Sequence, residues 1–233
     1  MNECESEMKN VLEAKGICKT FKDTNTEILK DIDLSIKEGE FVSLMGQSGS
    51  GKSTLLYLLG GLDKVTKGQI LINGIDISTL SEKKNSKLRR KSIGFVFQFY
   101  NLIQNMTVED NILLPILMRK EKADDYRKQM YDLLEICELS DKAKKYPHQL
   151  SGGEQQRVSI IRSVIINPSI ILADEATGNL DSKSGKRVME LFTELREKRG
   201  ISILQVTHSN EIARYGDRII ELKDGRIQHE WDV

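Results

Sequence analysis

The chain has 233 residues, 39% of them hydrophobic, which is enough for one substantial core and predicts one domain with an inserted lobe. Its 35 basic and 35 acidic residues cancel, so no whole-molecule field attracts nucleic acid or an anionic membrane surface. No apolar run approaches the roughly 20 residues of a membrane-spanning helix, and the polar N-terminus does not resemble a secretory signal. We therefore expect a cytoplasmic protein without a nucleic-acid partner, whose cysteines (Cys4, Cys18 and Cys137) are reduced thiols.

Short apolar segments alternate along the chain with segments of helical periodicity. Strands are predicted at residues 28–36, 41–45, 69–73, 93–97, 170–173 and 201–206. Apolar residues at helical spacing follow Met130 and Val188, and residues 101–166 are predicted to be almost wholly helical, with a capping box at Thr107 and Asp110. Strands that alternate with helices favour an α/β fold with a mostly parallel sheet. The long helical stretch predicts an inserted lobe.

A glycine-rich segment follows the strand predicted at residues 41–45. It matches the phosphate-binding loop, or P-loop, and consists of Gly46, Gln47, Ser48, Gly49, Ser50, Gly51, Lys52 and Ser53, with Thr54 opening the next helix. Glycines let the backbone wrap a phosphate chain, and the helix directs its positive dipole end at the same anion. Lys52 is predicted to hold the β- and γ-phosphates and the Ser53 hydroxyl to bind Mg²⁺. The segment predicts a site for ATP and Mg²⁺.

Two carboxylates follow the strand predicted at residues 170–173. Asp174 and Glu175 lie at the end of a buried strand, where open α/β sheets bind ligands. We expect Asp174 to orient the Mg²⁺ hydration shell and Glu175 to polarise the water that attacks the γ-phosphate. An acidic pair by itself is more often the start of a helix. In a chain that also carries a P-loop, the catalytic interpretation of the pair is favoured instead.

Two further polar residues stand at the ends of predicted strands. His208 follows residues 201–206, where its ring can hydrogen-bond the γ-phosphate and the attacking water. Gln98 follows residues 93–97, where its amide oxygen can reach Mg²⁺ or water. Without a P-loop in the chain, neither residue would indicate a catalytic role. With it, Glu175, His208 and Gln98 form the predicted catalytic set, and Ser53, Gln98 and Asp174 the predicted Mg²⁺ set.

A second glycine-rich segment distinguishes between the classes of P-loop protein. It resembles the signature motif of ABC ATPases and consists of Leu150, Ser151, Gly152, Gly153 and Glu154. A serine and two glycines at the start of a helix predicted at residues 154–166 make a second anion-receptive N-terminus with unpaired N–H groups. The resemblance spans nearly the whole chain, since P-loop, Gln98, signature, acidic pair, a loop at residues 178–181 and His208 follow in the family's order.

This resemblance implies the P-loop ABC-ATPase fold, with a mostly parallel core sheet, an N-terminal antiparallel β region and an inserted α-helical lobe. One domain, residues 1–233, would divide into a RecA-like core at about 1–98 and 167–233 and a lobe at about 99–166. In the family, ATP is hydrolysed between the P-loop of one copy and the signature of a second, and Asp181 bridges the two. Phe21 stands where many members stack a tyrosine on adenine; the alternative interpretation is a core aromatic.

The resemblance also indicates a branch of the family. The segments around His148, Glu154 and Asn179 look most like the lipoprotein-release and macrolide-export branch, which division-associated and peptide-resistance relatives share. That branch implies a separate integral membrane permease, gripped near residues 100–117, and a place on the inner face of the cell membrane. The chain ends about 25 residues after His208, which favours export or mechanical work over sugar uptake.

Other functions of the same superfamily fit the sequence to different degrees. About 98 residues separate Lys52 from Leu150, too few for the long coiled coil of chromosome-maintenance ATPases. One set of motifs argues against translation factors, which carry two cassettes. An ATPase that regulates a membrane-bound cell-wall hydrolase complex in division remains the alternative.

Overall fold

The computed structural model describes residues 9–21 and 25–233. Its strands are β1 (Asn10–Phe21), β2 (Thr26–Lys37), β3 (Phe41–Met45), β4 (Lys67–Ile72), β5 (Ile75–Asp76), β6 (Ile93–Val96), β7 (Ile170–Asp174), β8 (Ser202–Val206), β9 (Arg218–Lys223) and β10 (Arg226–Asp232). Its α-helices are α1 (Lys52–Leu59), α2 (Glu82–Ser92), α3 (Val108–Met118), α4 (Arg127–Ile136), α5 (Gly152–Val164), α6 (Ser182–Arg199) and α7 (Asn210–Ala213). Short 3-10 helices lie at Ala123–Tyr126, Ser140–Lys142 and Pro147–Gln149.

Six strands form the main sheet, in the order β10-β9-β3-β8-β7-β6. The neighbours from β9 to β6 pair in parallel, and only β10 runs antiparallel to its neighbour. Because parallel strands end at one edge, β3 delivers the P-loop, β7 Asp174 and β8 His208 to the same side of the sheet. The predicted α/β class is confirmed, and the sheet explains why residues distant in sequence form one site.

A second sheet of four antiparallel strands has the order β2-β1-β4-β5. It contains the N-terminal antiparallel region that the family resemblance implies. Apolar residues of this sheet, of α1 and of β3 share one buried cluster. A second cluster joins the other face of the main sheet to helices α3 to α6, where Phe41 and Phe192 pack edge to face at 6.3 Å. The sheet is therefore covered on both faces, as parallel strands require.

The segment predicted to be almost wholly helical is interrupted. Three α-helices and three 3-10 turns lie between residues 101 and 166, with loops at 99–107 and 143–146. Helix α3 begins as predicted, because the Thr107 hydroxyl accepts a hydrogen bond from the Asp110 N–H at 3.2 Å and the Asp110 carboxylate accepts one from the Thr107 N–H. Helix α5 begins at Gly152, two residues before the predicted start, because Ser151 is its N-cap.

The cysteines that the structure describes are free thiols, as expected. Cys18 is half-buried, and burial raises the pKa of Cys137 to about 12. Cys4 lies outside the described residues.

Within residues 9–21 and 25–233, no helix has the length and apolar character needed to cross a membrane.

Candidate active site

The P-loop, between β3 and α1, borders a cavity of about 600 Å³. Residues from the P-loop, β1, β2 and the ends of β7 and β8 line it: Phe21, Ile28, Ser48, Gly49, Gly51, Lys52, Ser53, Thr54, Glu175 and His208. The structure thus brings the predicted phosphate loop, the predicted base and the predicted histidine to one space.

Gly51 sets the geometry at the start of α1. It is the N-cap in a left-handed conformation, with φ +102°, and a Cβ there would lie 2.9 Å from the Leu29 side chain. Because no side chain caps α1, the first-turn N–H groups face the loop, where the helix dipole favours an anion. The local geometry suits a phosphate.

Lys52 is the cation of this loop. Its ammonium donates hydrogen bonds to the carbonyl oxygens of Gly46 and Gln47, each at 2.8 Å. Burial lowers the pKa of Lys52, although Glu175 and Asp174 act in the opposite direction. Within the described part of the chain, the Lys52 ammonium forms no ion pair with a carboxylate. Neutral carbonyls hold the ammonium at the cavity, so that no direct ion pair with a described carboxylate competes with a phosphate for it.

Two hydroxyls hold the buried Asp174 carboxylate. The Ser53 hydroxyl donates to Oδ1 at 3.0 Å and the Tyr57 hydroxyl donates to Oδ2 at 2.9 Å. A hydroxyl and a carboxylate this close provide the hard oxygen donors that Mg²⁺ takes beside substrate phosphates, so the residues fit the metal. Burial, together with the hydrogen bond to Asp174, raises the pKa of Tyr57 to about 12. Sequence reasoning missed Tyr57, whose one signal is its place four residues after Ser53 on α1.

Glu175 and His208 form a contact at the mouth of the cavity. His208 Nδ1 lies 3.3 Å from Glu175 Oε1. Glu175 has a φ of +46°, a left-handed conformation that is strained for a residue with a Cβ. Its N–H donates to the Val206 carbonyl at 3.1 Å, which ties the end of β7 to the end of β8. This turn directs the carboxylate toward the P-loop.

Gln98 lies beside this turn and does not line the cavity among the described residues. Its amide donates to Asn179 Oδ1 at 3.3 Å, and the Asn179 amide donates to the Gln98 carbonyl at 3.1 Å. The role of Gln98 toward Mg²⁺ or water stays a prediction.

Phe21 is on the surface of the cavity. The residue is 41% exposed, and the Lys19 ammonium lies 5.1 Å from the ring centroid. The alternative interpretation as a core aromatic is therefore wrong. Stacking of adenine on this ring stays a prediction.

The signature opens helix α5 on another part of the surface. The Ser151 hydroxyl accepts a hydrogen bond from the Glu154 N–H at 3.3 Å, and the Glu154 carboxylate accepts one from the Ser151 N–H at 2.7 Å. The prediction that the N–H groups at this helix start are unpaired is wrong for these two residues. A Cβ on Gly153 would lie 2.8 Å from Ser184 Oγ, so only glycine allows this approach of α5 to α6. Within the described chain, Leu150, Ser151, Gly152, Gly153 and Glu154 are absent from the P-loop cavity.

Asp181 caps helix α6. Its carboxylate accepts hydrogen bonds from the Ser184 N–H at 3.0 Å and the Ser184 hydroxyl at 2.7 Å, and these bonds hold the pKa of Asp181 below its usual range. With Glu175 and His208 it lines a second cavity of about 220 Å³. Asp181 therefore shares a cavity with two predicted catalytic residues, and within the described chain it does not line the P-loop cavity.

Comparison with known protein sequences gives the family. The profile described as ABC transporter matches residues 29–178. The ABC transporter ATP-binding protein MJ0796 of Methanocaldococcus jannaschii, itself uncharacterised, is 46% identical over 94% of this chain and 96% of its own length. LolD of Aquifex aeolicus, the ATP-binding protein of a lipoprotein-releasing system, is 46% identical over 96% of this chain and 98% of its own length. MacB of Brucella melitensis, a macrolide export ATP-binding/permease protein, is 46% identical over 93% of this chain but only 34% of its own length.

Solved structures of ABC transporter subunits are similar to this chain in fold as well as in sequence. A dimeric post-hydrolysis state of MJ0796 with ADP and Pi has a TM-score of 0.86 and 44% identity, covering 95% of this chain and 98% of that one. CbiO1 of Clostridium perfringens, part of the transporter complex CbiONQ, has a TM-score of 0.87 and 30% identity, covering 96% of this chain and 88% of that one. The predicted family and fold are confirmed. The chain belongs to the ABC transporter family, as an ATP-binding subunit that hydrolyses ATP.

Proposed function

We propose that this subunit is the Mg²⁺-dependent motor of an exporter or a mechanically coupled system, in which two copies close around ATP and drive a separate membrane permease. The observation that carries the proposal is the separation, in one chain, of the P-loop from the second segment that is predicted to bind phosphate. The P-loop borders a cavity with Glu175 and His208, whereas the signature opens α5 elsewhere. Through the permease, the subunit lies on the inner face of the cell membrane.

The chemistry follows from the residues around the P-loop. The backbone of the loop and Lys52 hold the β- and γ-phosphates, and Phe21 stacks on the adenine. Ser53, Gln98 and Asp174 hold Mg²⁺, which neutralises charge on the phosphate oxygens when it is bound. Glu175 orients or deprotonates the attacking water, and His208, in contact with its carboxylate, hydrogen-bonds the γ-phosphate. The products are ADP and phosphate.

A second copy completes the site. In a head-to-tail pair, Ser151 and Gly153 of each copy meet the γ-phosphate held by the P-loop of the other, and Asp181 lies at the junction. The solved dimer of MJ0796 with ADP and Pi supports this arrangement. Since each copy supplies half of two sites, ATP itself holds the pair together.

The permease has a suitable surface between α2, β6, α3 and α5. An apolar groove of about 290 Å³ there includes Phe95, Leu114, Pro115 and Met118. Met118 is 55% exposed, and Phe99, two residues after Phe97 of the groove, is 71% exposed. Exposed apolar surface of this kind is typical of protein interfaces. Leu114 and Pro115 of this groove belong to residues 100–117, where the family resemblance implies that the permease binds.

Similarity to LolD and MacB supports lipoproteins or macrolides as the exported class. Antimicrobial peptides are a third candidate class, which rests on the family resemblance alone. The alternative function, regulation of a cell-wall hydrolase complex, uses the same ATP chemistry and also needs a membrane partner. The identity of that partner separates the two.

The experiment is affinity purification of the tagged Glu175→Gln variant with ATP from solubilised membranes, followed by identification and reconstitution of the bound membrane protein. The proposal expects a permease whose lipoprotein, macrolide or peptide substrate stimulates ATP hydrolysis by the wild-type subunit. A partner that instead activates a cell-wall hydrolase establishes the alternative.

A matched pair of variants tests the groove. Met118→Glu places a charge in the groove and is expected to abolish co-purification of the permease. Tyr131→Glu, on α4, changes an aromatic residue that is 43% exposed and is expected to leave co-purification unchanged. Equal loss or equal retention in both variants would contradict this docking surface.

A further inference from the structure

Helix α1 presents two hydroxyls to one carboxylate. Ser53 and Tyr57 are four residues apart and therefore lie on the same face of the helix. Their hydroxyls take separate oxygens of Asp174, Oδ1 at 3.0 Å and Oδ2 at 2.9 Å. In the described chain, these are the side-chain hydroxyls within hydrogen-bond distance of this carboxylate. Tyr57 thus donates to the carboxylate oxygen that Ser53 does not contact.

The Tyr57 ring is itself fixed by aromatic packing. It lies 6.5 Å from the Phe97 ring at an angle of 60°, and Phe97 stacks on Phe95 at 5.7 Å with the planes 3° apart. Such contacts restrict the direction in which the phenol points. The hydroxyl is therefore presented to Asp174 by a rigid support rather than by a mobile side chain.

We propose that Tyr57 is a positioning residue for metal binding, whose hydroxyl holds Oδ2 of Asp174 and so keeps Oδ1 beside the Ser53 hydroxyl, the pair of groups that would hold Mg²⁺. This inference rests on the proposed Mg²⁺ site. Asp174 is buried, and removal of one donor leaves an oxygen of a charged group unpaired and the carboxylate free to rotate. Partners that hydrogen-bond a metal's ligands commonly change metal affinity by about tenfold or more when they are removed.

The test compares two Tyr→Phe variants of the full chain. Tyr57→Phe removes the hydroxyl and keeps the ring on Phe97. Tyr126→Phe removes a phenol that likewise donates to a carboxylate, that of Glu121, away from the site. Mn²⁺ binding in the presence of saturating ADP is measured by electron paramagnetic resonance of free Mn²⁺, ADP binding is measured in EDTA, and thermal melting is recorded.

We expect Tyr57→Phe to weaken Mn²⁺ binding about tenfold and to leave ADP affinity in EDTA unchanged. Tyr126→Phe should keep wild-type Mn²⁺ affinity. In Tyr57→His, which retains a ring and an N–H donor, part of the lost affinity should return. This variant also serves if Tyr57→Phe does not fold.

Wild-type Mn²⁺ affinity in Tyr57→Phe, with only a lower melting temperature, would overturn the inference and leave Tyr57 a purely structural residue. Failure of the wild-type ADP complex to bind Mn²⁺ would overturn the proposed Mg²⁺ site together with the inference. Failure to find a permease would affect neither result.

Discussion

At the residue scale, the backbone fixes the position of Glu175. A φ of +46° turns the chain directly after β7, and the bond to the Val206 carbonyl holds that turn against β8. Left-handed backbone at a residue with a Cβ costs about 1–3 kcal/mol, and such strain is common at functional sites. The sequence predicts the residue type and its strand end. It does not predict the strain, because that depends on pairing with a strand about 30 positions later.

Lys52→Ala tests the phosphate assignment. A hydrogen bond to a charged group is worth about 1.5–3 kcal/mol, so ATP affinity should fall about 10- to 100-fold. The measurement is equilibrium titration of a fluorescent ATP analogue. The control is Lys198→Ala, which removes an exposed ammonium paired with Glu194 and should leave affinity unchanged. Unchanged affinity in Lys52→Ala would refute the role of this lysine.

Tyr57 and Phe21 show the limit of sequence reasoning for single residues. Helical spacing places Tyr57 on the face of Ser53, but the bond to Asp174 requires the position of β7 beside α1. Phe21 fitted both a core and a surface interpretation, because an aromatic at a strand end satisfies either. Only its exposure decided between them.

At the scale of elements, the continuous apolar runs of the central strands were predictable, whereas the polar elements were missed, and so were two apolar strands, β1 and β9. The strands β3, β7 and β8 are fully or nearly buried, so their apolar runs stand out. Helix α2 was missed because Asn85 is its sole buried residue, which leaves no apolar stripe to recognise. Strand β10 was missed because most of it is exposed.

Two helices with similar N-caps, one a serine and one a threonine, allow a matched prediction. Ser151 caps α5 at the signature and Thr107 caps α3, each within a capping box. Substitution of either by alanine should lower the free energy of unfolding by about 1 kcal/mol, measured by urea denaturation. Only Ser151→Ala should also lower the ATP turnover rate, by about tenfold, since its hydroxyl meets the γ-phosphate of the partner copy.

Equal turnover in these two variants would contradict the signature's role. Such a result would reduce Ser151 to a helix cap, and its loss of stability would match that of Thr107→Ala.

At the scale of the whole molecule, Arg218 and Arg226 each link the main sheet to β2 of the antiparallel sheet, and Arg218 makes the more extensive contacts. Arg218 of β9 pairs with Glu40 at 2.6 Å and with Glu230, and it donates to the Ser35 carbonyl of β2. Both Arg218 and Glu40 side chains are only 14% exposed. This contact fixes the antiparallel sheet, which carries Phe21, relative to the sheet that carries the P-loop.

Arg218→Leu should therefore lower the free energy of unfolding by about 3 kcal/mol, because it leaves a largely buried carboxylate unpaired. Glu194→Ala, which breaks the exposed pair with Lys198, should cost no more than about 1 kcal/mol. Chemical denaturation of both variants measures the difference. Similar small losses would show that Arg218 does not hold the sheets together.

The central claim concerns two molecules: ATP joins the P-loop of one copy to the signature of another. Glu175→Gln keeps the shape of the site and removes the carboxylate that activates water, so turnover should fall about 100-fold or more while ATP still binds. Size-exclusion chromatography with light scattering of this variant, with and without ATP and Mg²⁺, is the most direct test. We predict a dimer of about 53 kDa with ATP, twice the 26.5 kDa of the chain, and a monomer without ATP. A monomer in saturating, bound ATP would contradict the claim that ATP itself holds the two copies together.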